Sequence, residues 1–286
     1  MKNTVIIYHK NCLDGSASAW SAWLKYREEA IYVPASDREN LPSEIIDIEN
    51  KKEVELYILD FSYPKEVLLK LQSEFKKLTI LDHHKTAKEA IMSIRDYVYS
   101  EDKSAAYLSW EYFHPNEEVP LIVKYISEGD MWRYSLPDYS LVLSYINSSN
   151  GKNIFDSLSE KRKFIDDHFD QVLVIGKILE ENFKEKVNQN LENKYKINFA
   201  GYEVWAVNGS KEYRSHVGNE LAELSGTFGV YFYIHQNILR VSLRSVPDFD
   251  VSVIATKLGG GGHKNSSGID VDFDGQSLFN FSNSNQ

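Results

Sequence analysis

Four short, almost uninterrupted apolar runs punctuate the first third of the chain: residues 4–8 (TVIIY), 30–33 (AIYV), 56–59 (LYIL) and 78–81 (LTIL). Runs of this length without polar alternation suit strands buried on both faces, the environment of a parallel sheet. Helix-compatible spacing lies between them, at 16–26, 42–49 and 65–75. Such β–α–β alternation predicts an α/β fold whose N-terminal part is a doubly wound parallel sheet. Residues 104–113 and 120–129 continue as helices, Pro120 suiting a first-turn position.

The stretch 147–152 (NSSNGK) is a turn signal. Beyond it, 156–193 reads as one or two long, charge-rich helices with Phe164, Phe169, Val172, Ile175, Ile178, Leu179, Phe183 and Val187 as the apolar stripe, a linking helix between two lobes. Strand patterns return at 202–207, 229–235 and 239–244, interrupted by helices at 216–224 and 251–258. A smaller α/β C-terminal domain is therefore expected over 196–286, after a first domain of 1–195 that includes the linking helix. The polar tail after Gly275 is expected to be loosely held.

Composition narrows the function classes. With 286 residues, 42% hydrophobic and 26% charged, the chain is an ordinary globular protein. A net charge of −10 argues against a wide basic surface for long duplex nucleic acid, but not against small anionic substrates held by a few cations or metal ions. The single cysteine, Cys12, excludes an intrachain disulfide and a multi-cysteine zinc site. No signal-peptide pattern and no apolar stretch long enough for a membrane span is present, so the expectation is a cytoplasmic protein with no membrane partner. Aromatic residues, 13% of the chain, read as packing rather than as a stacking platform.

The acids and histidines fall at strand ends. The first run leads into His9-Lys10-Asn11-Cys12-Leu13-Asp14-Gly15, the third ends at Asp60, and the fourth at Asp82-His83-His84. Carboxyl ends of neighbouring parallel strands converge on one crevice, where ligands bind. Several carboxylates gathered there require a cation, and Asp and His ligands without clustered thiolates favour manganese or magnesium. Taken singly, Asp14 reads equally well as a helix cap and Asp82 as a cap or as an orienting partner for an imidazole. Together, His9, Asp14, Asp60 and His83 read as metal ligands.

LDHHK after an apolar strand, an N-terminal HxNxxDG and an isolated strand-end Asp between them resemble the DHH phosphoesterase superfamily. That group includes exonucleases, oligoribonucleases (nanoRNases), cyclic-dinucleotide phosphodiesterases and family II inorganic pyrophosphatases. Asp130 in SEGDMW matches its fourth motif, and VSLRS (241–245) with GGGGHKNSSG (259–268) resembles the DHH-associated substrate-binding domain. Physically, the glycine run frees the backbone to approach an anion closely, and Arg244 faces away from Val241 and Leu243.

The resemblance implies two divalent ions, manganese first, with magnesium or another divalent ion as alternatives. Asp60 would bridge them, His9 would serve one, and Asp14, His83 and Asp130 the other. His84 would sit near the scissile phosphate, with Asp82 acting behind the ligands. Arg244, Gly260, Gly261, Gly262, His263 and Lys264 would bind the far end of the substrate. Cys12 stands where an Asp is usual. Three readings are open: a thiolate ligand favouring a softer metal, a packed thiol beside a weakened site, or a first metal held by fewer protein ligands. The leading expectation is hydrolysis of short oligoribonucleotides or dinucleotides to 5′-mononucleotides. The alternatives are a pyrophosphatase or short-chain polyphosphatase, a cyclic (di)nucleotide phosphodiesterase, and a non-catalytic nucleotide-binding module. The oligomeric state, a homodimer included, is open.

Overall fold

The computed structural model describes residues 2–36 and 39–273; the expectation for the tail after Gly275 lies outside the described residues. The chain divides into two compact units, the first ending at Glu180 and the second beginning at Glu181.

In the first unit, β1 (Thr4–His9), α1 (Leu13–Tyr26), β2 (Ala30–Ala35), α2 (Ser43–Ile46), β3 (Glu55–Leu59), α3 (Lys65–Glu74), β4 (Lys77–Asp82), α4 (Lys88–Ile91) and β5 (Asp96–Tyr99) follow one another. The sheet has the order β2-β1-β3-β4-β5 with every pair parallel. Alternate residues of the central strands serve two cores. Val5, Ile7, Leu56, Ile58, Leu78 and Ile80 pack with Leu68 and Leu71 of α3. Ile6, Tyr57, Leu59 and Leu81 pack with Ala19 and Ala22 of α1. Burial on both faces is why these strands read as unbroken apolar runs.

Five further helices follow: α5 (Ala105–Phe113), α6 (Leu121–Asp130), α7 (Tyr139–Asn147), α8 (Ile154–Asp167) and α9 (Phe169–Glu192). With α1 they enclose a helical core around Trp20, Trp110, Ile126, Val142 and Ile165. The long charge-rich stretch is two helices that break at His168, and the division between units falls inside the second.

The second unit contains β6 (Tyr195–Phe199), β7 (Tyr202–Asn208), α10 (Arg214–Ser225), β8 (Phe228–His235), β9 (Ile238–Ser245), α11 (Ser252–Lys257), β10 (Gly261–His263) and β11 (Ser266–Asp272). Its sheet, in the order β10-β11-β9-β8-β7-β6, is mixed: β7 and β8 are parallel and the remaining pairs antiparallel. One face carries Val204, Phe228, Val230 and Leu243, the other Val207, Val217, Leu221 and Tyr231. Among the described residues, no helix is long and apolar enough to cross a membrane.

Candidate metal centre

The order in which strands are added reverses at β1: β2 lies on one side and β3 on the other, all three parallel. The carboxyl ends of β1 and β3 therefore flank the crevice where an open parallel sheet binds ligands. His9 is the last residue of β1, and Asn11 takes a left-handed conformation (φ 56°) in the tight turn to α1. A Cβ at Gly15 would lie 2.4 Å from the His9 carbonyl oxygen, so glycine lets the helix begin hard against the strand end. That approach puts Asp14, in the first turn of α1, behind His9. Asp60 follows β3 with φ 66°, a strained backbone for a non-glycine residue, held by its N–H donating to the Leu81 carbonyl at 3.0 Å. Such strain at a sheet's ligand edge is a mark of a built site.

Two groups of side chains converge on Asp60. His9 Nδ1 lies 3.3 Å from Asp60 Oδ2. His83 Nε2 lies 3.4 Å from the other oxygen, Oδ1, 3.1 Å from Asp130 Oδ2 and 3.9 Å from Asp14 Oδ2. The ligand atoms of His9, Cys12 and Asp60 fall within 4.8 Å of one another, as do those of Asp14, His83 and Asp130. Asp60, 1% exposed, thus turns one oxygen toward each group.

Divalent cations fit this donor set. Asp60 Oδ1, His83 Nε2 and Asp130 Oδ2 are buried within ion-pair distance of one another, yet none has a hydrogen-bond partner among the described residues. Buried polar atoms are almost always paired, so three unpartnered atoms gathered around one imidazole suit coordination of a cation. Asp14 is positioned from behind: Ala105 N–H donates to its Oδ2 at 2.8 Å and Ala106 N–H to its Oδ1 at 3.1 Å, both from the first turn of α5. Burial, with the Asp60 and Asp130 carboxylates, pushes Asp14 well above the usual carboxylate range. Burial also raises Asp130 against the opposing pull of the His83 imidazole, with Asp60 adding to the rise. Burial opposes ionisation of Asp60 too, but the imidazoles of His83 and His9 and the neighbouring Asp14 outweigh it and hold this carboxyl well below its ordinary value. Burial, reinforced by Asp60 and Asp14, keeps the Cys12 sulfur a protonated thiol.

Asp82 plays a different part. Its Oδ1 accepts from His83 N–H (2.7 Å), His84 N–H (3.2 Å) and His84 Nδ1 (2.7 Å), so one oxygen shapes the turn after β4 and fixes the His84 ring. The hydrogen bond from Asp82 outweighs burial and raises the His84 imidazole to about 9. His84 is thus cationic at neutral pH, with its ring centroid 4.5 Å from that of His83.

In the second unit, Gly229, Arg244, Ser266 and His263 form one rung across β8, β9, β11 and β10. Residues directly opposite on neighbouring strands share a face, so Arg244 and His263 project from the same side. Arg244 donates to Ser242 Oγ, the Leu243 carbonyl and Ser215 Oγ, each at 3.0 Å, all neutral acceptors. Burial and the nearby Arg214 guanidinium lower its pKa. Of the glycine run, Gly261 has open space, whereas a Cβ at Gly260 would lie 2.1 Å from the Gly268 carbonyl oxygen. Gly262, at φ 141° and facing Ser267 Cα at 2.6 Å, also needs glycine for the hairpin itself. Part of that signature therefore serves the β10–β11 pairing. Lys264 lies in the intervening turn.

Sequence reasoning missed the α5 amides that hold Asp14, and the Arg214–Ser215 pair beside Arg244. Ser104, whose Oγ accepts from Tyr107 N–H as a helix cap, was a readable signal for the first. The second is created only by the packing of α10 on the sheet.

No protein-family model matches the chain. It is 31% identical over 294 aligned positions to "Uncharacterized protein R106" of Acanthamoeba polyphaga mimivirus, an alignment spanning 93% of this chain and 66% of the relative. It is 25% identical over 255 positions to "Oligoribonuclease NrnB" of Bacillus subtilis (strain 168), spanning 81% and 63%. The chain thus spans about two thirds of the length of these curated relatives. Among solved structures, the PF0399 DHH domain superposes with a TM-score of 0.59 at 12% identity, covering 97% of this chain and 84% of that one. The pGpG-specific phosphodiesterase PggH from Vibrio cholerae gives 0.52 at 11% identity, with 97% and 96% covered. The chain therefore has the fold of these DHH-domain structures, with its Asp and His residues at the strand ends in the order given above.

Proposed function

We propose that the chain is a divalent-metal-dependent phosphodiesterase, with manganese as the working ion, that hydrolyses dinucleotides and short oligoribonucleotides to 5′-mononucleotides. The observation that carries this reading is the placing of Asp60, with Oδ2 3.3 Å from His9 Nδ1 and Oδ1 3.4 Å from His83 Nε2, the imidazole that also lies beside Asp130 and Asp14. A pair of bound cations there would polarise a phosphoryl group and activate water.

The chain's own residues supply the rest. Asp60, Asp14 and Asp130 concentrate negative charge that would offset most of the charge of two divalent cations, while the α5 amides hold Asp14 in place. His84, kept protonated by Asp82, offers a charged donor to a phosphoryl oxygen and a proton to the leaving oxygen. Within the second unit, Arg244 and His263, on one face of the sheet, offer donors suited to an anionic group. Lys264, in the turn after His263, adds a cation. The net charge of −10 favours short substrates over long duplexes. The name of the Bacillus relative, an oligoribonuclease, supports the same substrate class.

The test is a manganese-supplemented panel of a 5′-phosphorylated dinucleotide, a long single strand, a cyclic dinucleotide and pyrophosphate. Fastest release of mononucleotide from the dinucleotide supports the reading. Phosphate release from pyrophosphate alone overturns it.

A further inference from the structure

The turn after Asp130 carries an arrangement that packing does not account for. Trp132 is 80% exposed, the most exposed large apolar side chain among the described residues. It and Tyr134 both take left-handed backbone conformations, at φ 56° and 53°, unfavourable for bulky residues. The loop is nevertheless tied down. Ser135 N–H and Oγ both donate to Glu128 Oε2 at 2.7 Å, Arg133 Nη2 donates to the Asp102 carbonyl at 2.6 Å, and Tyr125 Oη donates to the Pro137 carbonyl at 2.7 Å. An anchored loop that holds an indole in water under backbone strain presents that ring rather than losing it to disorder.

The rings also form a ladder that begins at the metal centre. The Tyr139 hydroxyl packs so closely over Gly129 that a Cβ there would lie 2.2 Å from it, and Asp130 is near enough to help raise its pKa. Tyr139 meets Tyr134 at 5.1 Å between centroids, and Tyr134 meets Trp132 edge-on at 6.0 Å. At 80% exposure the indole keeps most of its surface open to a planar partner.

We infer that Trp132, supported by Tyr134 and Tyr139, is the stacking platform for a nucleobase of the substrate whose phosphodiester is cleaved at the Asp130 side of the metal centre. The inference rests on the phosphodiesterase reading and sharpens it. A base-stacking ring beside the ligands selects nucleotides over pyrophosphate and polyphosphate, which have no face to stack. Because every base has a π-face, it also selects nucleotides without regard to sequence.

The test is a cycle of two enzymes and two substrates. Wild type and Trp132→Ala are assayed on a 5′-phosphorylated dinucleotide and on its analogue with an abasic residue. Loss of a stacked base costs roughly five- to a hundredfold in apparent affinity. Trp132→Ala is therefore expected to raise KM on the dinucleotide by about tenfold or more, with kcat less affected. Trp132→Phe is expected to recover most of that loss. Removing the base and removing the indole together are expected to cost no more than either alone. Equal, multiplying losses on both substrates would overturn the platform. If wild type cleaves neither substrate, the phosphodiesterase reading falls, and stacking is judged by fluorescence instead. A nucleoside 5′-monophosphate should quench the wild-type indole signal and inorganic phosphate should not, with the difference absent in Trp132→Phe. Quenching that persists unchanged in that variant would refute the platform.

Discussion

Asp130→Asn should make the metal-free protein more stable and the metal-loaded protein less so. In the metal-free chain the carboxylate oxygens of Asp130 and Asp14 lie within 4.8 Å of each other. Two full unit charges at that separation would repel by about 3.5 kcal/mol at an effective dielectric near 20, an upper bound because the raised Asp14 and Asp130 carboxyls relieve part of it by taking up protons. The His83 imidazole, 3.1 Å from Asp130 Oδ2, offsets part of this. A net gain of about 1–2 kcal/mol on neutralising Asp130 follows, or a rise in midpoint of roughly 3–5 °C. Asparagine keeps the shape, and Oδ2 has no hydrogen bond to lose among the described residues. Manganese reverses the order. At a hundredfold excess over Kd, wild type gains about 2.7 kcal/mol per site. A variant that binds about a hundredfold more weakly gains only ~0.4 kcal/mol at the same concentration. Thermal unfolding in chelator and across a manganese titration reads both limbs. A variant less stable than wild type in chelator, with no crossing as manganese is added, would refute the charge-crowding argument.

Acidity offers a second test. Asp14 and Asp130 have raised folded-state pKa values, and His84 is raised to about 9, so each binds protons more tightly in the folded chain. Their contribution is full below the unfolded values and is lost as pH rises, with His84 losing its share through pH 9. The metal-free protein should therefore be more stable near pH 6 than near pH 9.5, as denaturant midpoints will show, and Asp82→Asn should flatten the upper part of that slope. Nitrogen-edited NMR should find the His84 ring protonated at pH 7.5 in wild type and titrating lower in Asp82→Asn; an unchanged titration would deny Asp82 its orienting role. For Cys12, cobalt(II) should give a near-ultraviolet sulfur-to-metal charge-transfer band that Cys12→Ser lacks, with a proton released on binding. Identical spectra would leave Cys12 a packed thiol.

The strands that deliver the site were legible for a physical reason. β1, β3 and β4 are buried on both faces, so their sequences are nearly pure hydrocarbon until the ligand residue ends them. His9, Asp60 and the Asp82–His84 turn could be read from that break alone. β5 (DYVY) and β6 (YKINF) escaped because they are edge strands with partly exposed, mixed composition. β10 and β11 escaped because a Gly- and Ser-rich hairpin carries no periodicity. α1 begins at Leu13 rather than Ser16, its first turn hidden within the ligand motif. Asp130 was found only through family resemblance, since it closes a helix rather than a strand. Trp132 left no signal at all, because an exposed indole and a buried one look alike in sequence.

The central claim is a two-cation centre bridged by Asp60, and counting bound ions tests it most directly. Equilibrium dialysis against manganese, followed by metal analysis and a dinucleotide turnover assay on the same samples, should give two ions per chain and active protein for wild type. For Asp60→Asn, whose side chain tolerates the same left-handed backbone, it should give fewer than one ion and no turnover. Full dinucleotide hydrolysis by Asp60→Asn, or two ions still bound to it, would contradict the account.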